Sequence, residues 1–286
     1  MWIGESEKNR MAGNYLVPGM VLQGRYKIDS LISTAGAGHV YKASDARFPG
    51  KWWAIKAYSG LGKRTLEEGA KPLLRLNHPY AVKAADFFEE REFGCIVLEY
   101  VSDRTLEQVL ESGSPVSESQ LLSWGIQCAE ALAYFAESLS DYTHYPRLSP
   151  GKILVTGTGM LRVIPPMSIS VPAEGELEFA GEARVGDDVA ELGGILKKFL
   201  AAGHIVATPS ALSDLEQIVE TAIEPKLESG YAGLAEFRLV LLERLKDALR
   251  AHPARPRPSR AMKGGIFWAL AALFAVSILL WMHFFF

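Results

Sequence analysis

The stretch Tyr145-Pro146-Arg147-Leu148-Ser149-Pro150-Gly151-Lys152-Ile153-Leu154 carries two cations, Arg147 and Lys152, and Pro165-Pro166-Met167 follows one short strand later. A guanidinium and an ammonium are hydrogen-bond donors only. They can offset the charge of a phosphate, whereas Mg²⁺ needs oxygen ligands that neither cation nor Pro165 supplies. A third cation, Lys56, ends the run Trp53-Ala54-Ile55-Lys56, beyond a loop holding Gly36 and Gly38. Glycines in such a loop let backbone N–H groups approach a phosphate with no Cβ in the way. The chemistry such groups could offer is anion binding without a metal; an ordinary hairpin turn at Gly36 and Gly38 and cations that are solvated or paired with acids are the alternative. No Cys/His metal spacing is present, and no Ser/His/Asp arrangement can be argued from the sequence.

Composition bounds the rest. With 286 residues, 49% of them apolar, the chain can bury a sizeable core in one large domain or two small ones. A formal net charge of −3 gives no global argument for a nucleic-acid partner. The two cysteines, Cys95 and Cys128, fall in an expected strand and an expected helix and read as buried, reduced thiols.

Several elements must position the cations. A strand opens at Gly24-Arg25-Tyr26-Lys27-Ile28, and Leu31 to Ala43 reads as a hairpin that leads to the strand ending at Lys56. A helix precedes His78-Pro79, with Pro72 expected to disturb its first turns. Phe87 to Val101 carries two strand patterns around a turn at 91–94, and Leu106, Val109 and Leu110 suit a short helix. Between Ser119 and Ser138, apolar residues at Leu122, Ile126, Ala129, Leu132, Ala133 and Ala136 keep the 3-and-4 spacing of an amphipathic helix. Strands are expected at 153–155 and 161–164 around a turn at Gly157–Gly159, then a helix from Asp188 to Gly203 and further helices over 215–219 and 231–249.

In this order the motifs resemble those of the eukaryotic-type protein kinases: a Gly-containing hairpin, Ala54-Ile55-Lys56, Leu73-x-x-Leu76-x-His78-Pro79, Leu98-Glu99-Tyr100, Leu148-x-Pro150-x-x-Ile153-Leu154 and Asp188-x-x-x-Leu192-Gly193. The resemblance covers about 21–250 and implies an α+β, bilobal fold with a small β-rich N-lobe and a mainly helical C-lobe. It further implies a nucleotide cleft in which Gly38 belongs to the phosphate-covering loop and Val40 and Ala54 lie above the adenine. Leu154 would lie below the adenine, Leu98 would be the gatekeeper, and the backbone from Glu99 to Val101 would form the hinge. Lys56 takes the place of the lysine that bridges ATP phosphates and a helix glutamate, but Gly69 occupies the glutamate position, just after Glu67 and Glu68. Asp188 matches an aspartate that holds the catalytic-loop backbone. Arg147 stands at the catalytic Asp, Lys152 at the metal-binding Asn, and Pro165 at the metal-binding Asp.

The expectation is a pseudokinase: no catalytic residues, no metal site, no required cofactor and no phosphotransfer, with metal-independent ATP binding as a further reading. A divergent active kinase using Asp141 or Glu174 is the alternative. The segment 167–186, at the place of the activation segment, is short and acidic, with no Ser, Thr or Tyr between Val171 and Val189. The Ala-Pro-Glu that ends this segment in active kinases is not recognisable, and its arginine partner falls on Gly230.

The C-terminus carries a second signal. Ile266 to Phe286 is apolar apart from Ser277 and His283, a length that spans about 30 Å as a helix, the thickness of a bilayer's hydrocarbon core. Arg250, Arg255, Arg257, Arg260 and Lys263 form a basic collar before it, and the positive-inside rule then puts the folded domain in the cytoplasm. No signal peptide is visible at the N-terminus. The expected organisation is an N-terminal extension (1–20), a kinase-like domain (21–250), a basic Pro-rich linker (251–264) and a transmembrane helix (265–286). The expected partners are a protein at the cell membrane and, through a single-pass tail anchor, the lipid bilayer.

Overall fold

A computed structural model describes residues 15–34, 38–101, 104–139, 148–167, 188–224 and 230–251. The chain divides into two compact units, Met1–Ala248 and Leu249–Phe286. Of the second, only 249–251 are described. Residues 1–14 of the N-terminal extension, Arg147, Asp141, Glu174, the segment 168–187 and the apolar stretch 266–286 therefore lie outside the described residues, whereas Leu16 of that extension packs into the core of the sheet lobe. Among the described residues no helix is long and apolar enough to cross a membrane.

The first lobe is an antiparallel sheet. Its strands are β1 (Val21–Leu22), β2 (Tyr26–Ser33), β3 (His39–Asp45), β4 (Trp52–Ser59), β5 (Ala84–Glu90) and β6 (Phe93–Glu99), in the order β1-β2-β3-β4-β6-β5. The period of two along β4 sends Ile55 and Ala57 to one face and Ala54, Lys56 and Tyr58 to the other. Ile55 and Ala57 join Leu22, Tyr26, Ile28 and Tyr41 in an outer core, whereas Tyr58 packs with α1 (Lys63–Leu73) through Leu66, Ala70 and Leu73. β6 feeds both cores, Cys95 and Val97 outward and Ile96 and Leu98 inward, which is why it reads as an unbroken apolar run. Pro72 sits in the last turn of α1, not the first turns as expected. There its missing N–H helps to end the helix one residue later.

The second lobe is built on α3 (Glu118–Ser138), which the short helix α2 (Leu106–Glu111) precedes. A three-stranded sheet joins β7 (Arg104–Thr105), β9 (Ile153–Val155) and β10 (Leu161–Val163), and β8 (Val116–Ser117) pairs in parallel with β11 (Ile205–Val206). Three helices complete the lobe: α4 (Asp188–Ala201), α5 (Pro209–Ile223) and α6 (Leu234–Ala251). α5 starts at Pro209, six residues before the expected 215, because Thr208 caps it and the proline's fixed φ suits the first turn. The inward face of α3 (Leu121, Leu122, Cys128, Leu132, Phe135) is buried, each large side chain contributing about 1.5–3 kcal/mol. Gly125 of α3 lets α6 approach: a Cβ there would lie 2.9 Å from Leu241. Arg244 of α6 pairs with Glu118 of α3 at 2.7 Å and with Asp214 of α5 at 3.1 Å, tying three helices together.

The lobes are continuous. Val163 donates to the Tyr80 carbonyl at 2.7 Å, and Val82 donates to the Val163 carbonyl at 2.9 Å, so β10 is fastened to the chain entering β5. Both cysteines are free and buried, and burial pushes each thiol up to about 12.

Candidate nucleotide cleft

The sheet register brings the expected cleft residues together. Val40 of β3 pairs with Lys56 of β4, and Ala54 pairs with Leu98 of β6. Residues opposite each other in an antiparallel ladder share a face, so Val40, Ala54, Lys56 and Leu98 line one wall. From the other lobe, Leu154 of β9 packs against the same apolar cluster as Ala54 and Val101. Leu98 is buried, as any inward residue of this strand would be. The Glu99 N–H donates to the Lys83 carbonyl at 2.8 Å, so this hinge donor is already used.

Gly38 is required by packing. An added Cβ would meet the Ala57 carbonyl at 2.9 Å and the Tyr58 ring at 3.1 Å. The tip of the loop, 35–37, lies outside the described residues.

Lys56 is half-buried, with its ammonium 5.1 Å from the centre of the Tyr58 ring. The glutamates that precede Gly69 do not reach it. Glu67 holds Lys71 at 2.6 Å and Glu68 holds Arg64 at 2.8 Å, both i,i+4 pairs on the solvent side of α1. Gly69 itself is buried against the sheet lobe and brings no side chain. Among the described residues no carboxylate pairs with Lys56. Burial first, and the Lys152 charge second, pull its pKa from 10.5 down to about 8.

Lys152 ends a 3-10 turn, Pro150–Lys152, and its pKa is lowered by burial, with Glu191 opposing. Glu191 is the residue that sequence reasoning missed. Its carboxylate accepts from the Leu148 N–H at 2.8 Å and so holds the backbone of the loop beside Lys152. The available signal was its place three residues after Asp188 in the first turn of α4, on the same helix face. Pro165 is buried. Among the described residues no cluster of three or more His, Cys, Asp or Glu could hold a metal. The cleft thus keeps apolar walls and brings the Lys152 charge, at the position the resemblance gives to a metal ligand, to bear on Lys56.

Comparison with known proteins agrees with this geometry. A family model described as protein tyrosine and serine/threonine kinase matches residues 34–163, somewhat less than half of the chain. The serine/threonine-protein kinase pkn2 of Myxococcus xanthus is 32% identical over 121 residues, 40% of this chain and 14% of that protein. PknA of Mycobacterium tuberculosis is 29% identical over 156 residues, 51% of this chain and 35% of that protein. The matched segment is thus well under half the length of either relative. Among solved structures, the Mycobacterium tuberculosis PknI kinase domain superposes with a TM-score of 0.59 at 19% identity, covering 80% of this chain and all of that one (100%). The pseudokinase domain of BIR2, an immune regulator of the RLK/Pelle family, gives 0.60 at 17% identity, covering 82% and 88% of the two chains. At such identities the likeness speaks for architecture alone, and with the sheet lobe, hinge and helical lobe described above it establishes that this chain carries a domain with the serine/threonine protein-kinase fold.

Proposed function

We propose that this protein is a membrane-tethered pseudokinase, a scaffold or allosteric regulator on the cytoplasmic face that does not transfer phosphate. One observation supports the reading: the positions that the motif resemblance assigns to a catalytic base and its metal ligands hold Arg147, Lys152 and Pro165. None of the three can accept a proton from a hydroxyl at neutral pH or coordinate Mg²⁺ through its side chain. The apolar stretch 266–286 and its basic collar support the tether, which would raise the concentration of the domain at the membrane surface.

The test is incubation of the detergent-extracted full chain with radiolabelled ATP, Mg²⁺ or Mn²⁺ and generic protein substrates. No incorporation above that of Lys56→Ala is expected. Turnover that Lys56→Ala abolishes would overturn the proposal and favour a divergent kinase.

A second reading, nucleotide binding without transfer, is favoured by the confrontation of Lys56 with Lys152, two cations that a triphosphate would neutralise. ATP should then raise the melting temperature equally with and without Mg²⁺. A ligand at a hundred times its Kd adds about 2.7 kcal/mol. Lys152→Glu should reduce that shift strongly. No shift in either condition removes nucleotide binding and leaves the scaffold intact.

A further inference from the structure

Behind the hinge, away from Lys56 and Lys152, a groove of about 800 Å³ runs between the lobes. Its floor includes Leu74, Ala81 and Ala84, and Trp53 forms one wall. Trp53 and Glu99 pair across β4 and β6, and an odd step along β4 turns Trp53 to the sheet face opposite Ala54. Of the expected cleft residues only Glu99 also lines the groove, which is therefore distinct from the candidate nucleotide cleft.

Its charge is one-sided. Lys51, Lys83 and Arg162 line it, with Glu99 as the sole acid among its lining residues. Arg162 is committed: it donates to the Pro79 carbonyl, and its guanidinium lies 4.0 Å from Glu99. Lys51 and Lys83 are exposed, and among the described residues neither has a carboxylate partner. The ammonium of Lys51 rests 4.7 Å from the centre of the Trp53 ring, which holds one cation over the apolar wall. Exposed lysines are ordinary by themselves. Two uncompensated ones flanking an apolar floor in a concave site make a surface complementary to an occupant that alternates carboxylates with apolar side chains. The groove also opens at Lys83 and Ala84, where β5 begins as the terminal strand of the sheet, an edge to which an extended chain can add.

We propose that this groove docks an extended acidic segment of a partner protein, with an apolar side chain over Leu74 and Ala84 and carboxylates at Lys51 and Lys83. Touching β4, β5 and β10 together, the segment would bind both lobes at once. The inference does not depend on whether nucleotide binds in the front cleft.

The test uses the full chain in detergent micelles and two fluorescein-labelled peptides, Glu-Leu-Glu-Glu-Leu-Glu-Glu-Leu and its counterpart with lysine for glutamate. Anisotropy should report binding of the acidic peptide only, weakening as salt rises from about 0.05 to about 0.5 M. Lys51→Glu with Lys83→Glu should weaken it about tenfold or more, since reversed charges repel what they had attracted. Lys27→Glu with Lys63→Glu, the same change of net charge elsewhere on the sheet lobe, should leave it unchanged. Ala85→Trp, which fills the groove without altering charge, should also weaken binding and serves as the independent variant if the charge reversal disturbs folding. Failure of the acidic peptide to bind would overturn the proposal, as would equal binding of both peptides. Equal loss in the two double variants, or displacement of the peptide by ATP, would overturn it too.

Discussion

Replacing Lys56 by methionine is expected to stabilise the folded domain at pH 7, the reverse of what loss of a functional lysine usually does. The half-buried ammonium lies beside an aromatic ring, faces Lys152 and, among the described residues, has no carboxylate partner. Burial and the like charge together lower its pKa from 10.5 to about 8. A shift of that size corresponds to about 3 kcal/mol held against the charged form in the folded state. Methionine keeps the length and removes the charge, so a gain of about 2–3 kcal/mol in chemical denaturation is expected, part of the gross figure being lost with the contact to Tyr58.

The pH dependence fixes the sign. Between about 8 and 10.5 the unfolded chain still holds a proton that folded Lys56 has released, so this residue's contribution makes stability rise with pH through that window. Cys95 and Cys128 act oppositely: unfolded thiols ionise from about 9 while the buried ones keep their protons to about 12. Comparing the wild type with Lys56→Met cancels the thiols. The advantage of the variant should therefore be greatest at pH 7 and nearly gone by pH 10.5. A variant less stable than the wild type at pH 7 would mean that an anionic partner holds Lys56, and the account of the cleft would fail.

Asp45→Ala is expected to produce the largest loss. The carboxylate closes the outer core: it accepts from Arg25 Nε and Nη2 at 3.0 and 2.8 Å, from Trp53 Nε1 at 2.8 Å and from the Arg47 N–H at 2.9 Å. Its side chain has no exposed surface, whereas that of Arg25 is 17% exposed. Alanine leaves the indole and guanidinium donors without their acceptor. A cost of roughly 3 kcal/mol is expected, at the low end for broken buried pairs because Arg25 retains access to water. The hydrogen bonds from Arg25, aided by those from Trp53 and Arg47 and opposed by burial, hold Asp45 well below the usual carboxylate range. The stability it contributes is complete above the unfolded value of about 4 and is lost as pH falls through the window below it. Urea midpoints measured from pH 6 to pH 2 should fall for the wild type and fall less for Asp45→Asn. Parallel curves would show that other carboxylates carry the acid dependence.

What the chain by itself determined is the order of its elements and what three of its side chains cannot supply. Periodicity marked the long helix that ends at Ser138, because a period of 3.6 follows from backbone geometry alone, whereas the strands around Lys56 and Leu98 were marked by the order of motifs and an apolar run. The types of Arg147, Lys152 and Pro165 told what they cannot do, since donor and ligand capacity belongs to the side chain. Only the tertiary structure decided which groups meet. Glu67 and Glu68, adjacent to the expected ion-pair position, turn outward to Lys71 and Arg64, because a helix distributes neighbouring residues over different faces and α1 commits its inner face to Leu66 and Ala70. Glu191 reaches the Leu148 backbone across 43 positions of sequence, and Arg244 joins three helices through Glu118 and Asp214, a pairing that local spacing does not announce. The groove behind the hinge draws on β4, the approach to β5, and β10. Contacts between distant segments depend on how packed elements exclude water and leave room for one another, and that leaves no periodic trace in the sequence.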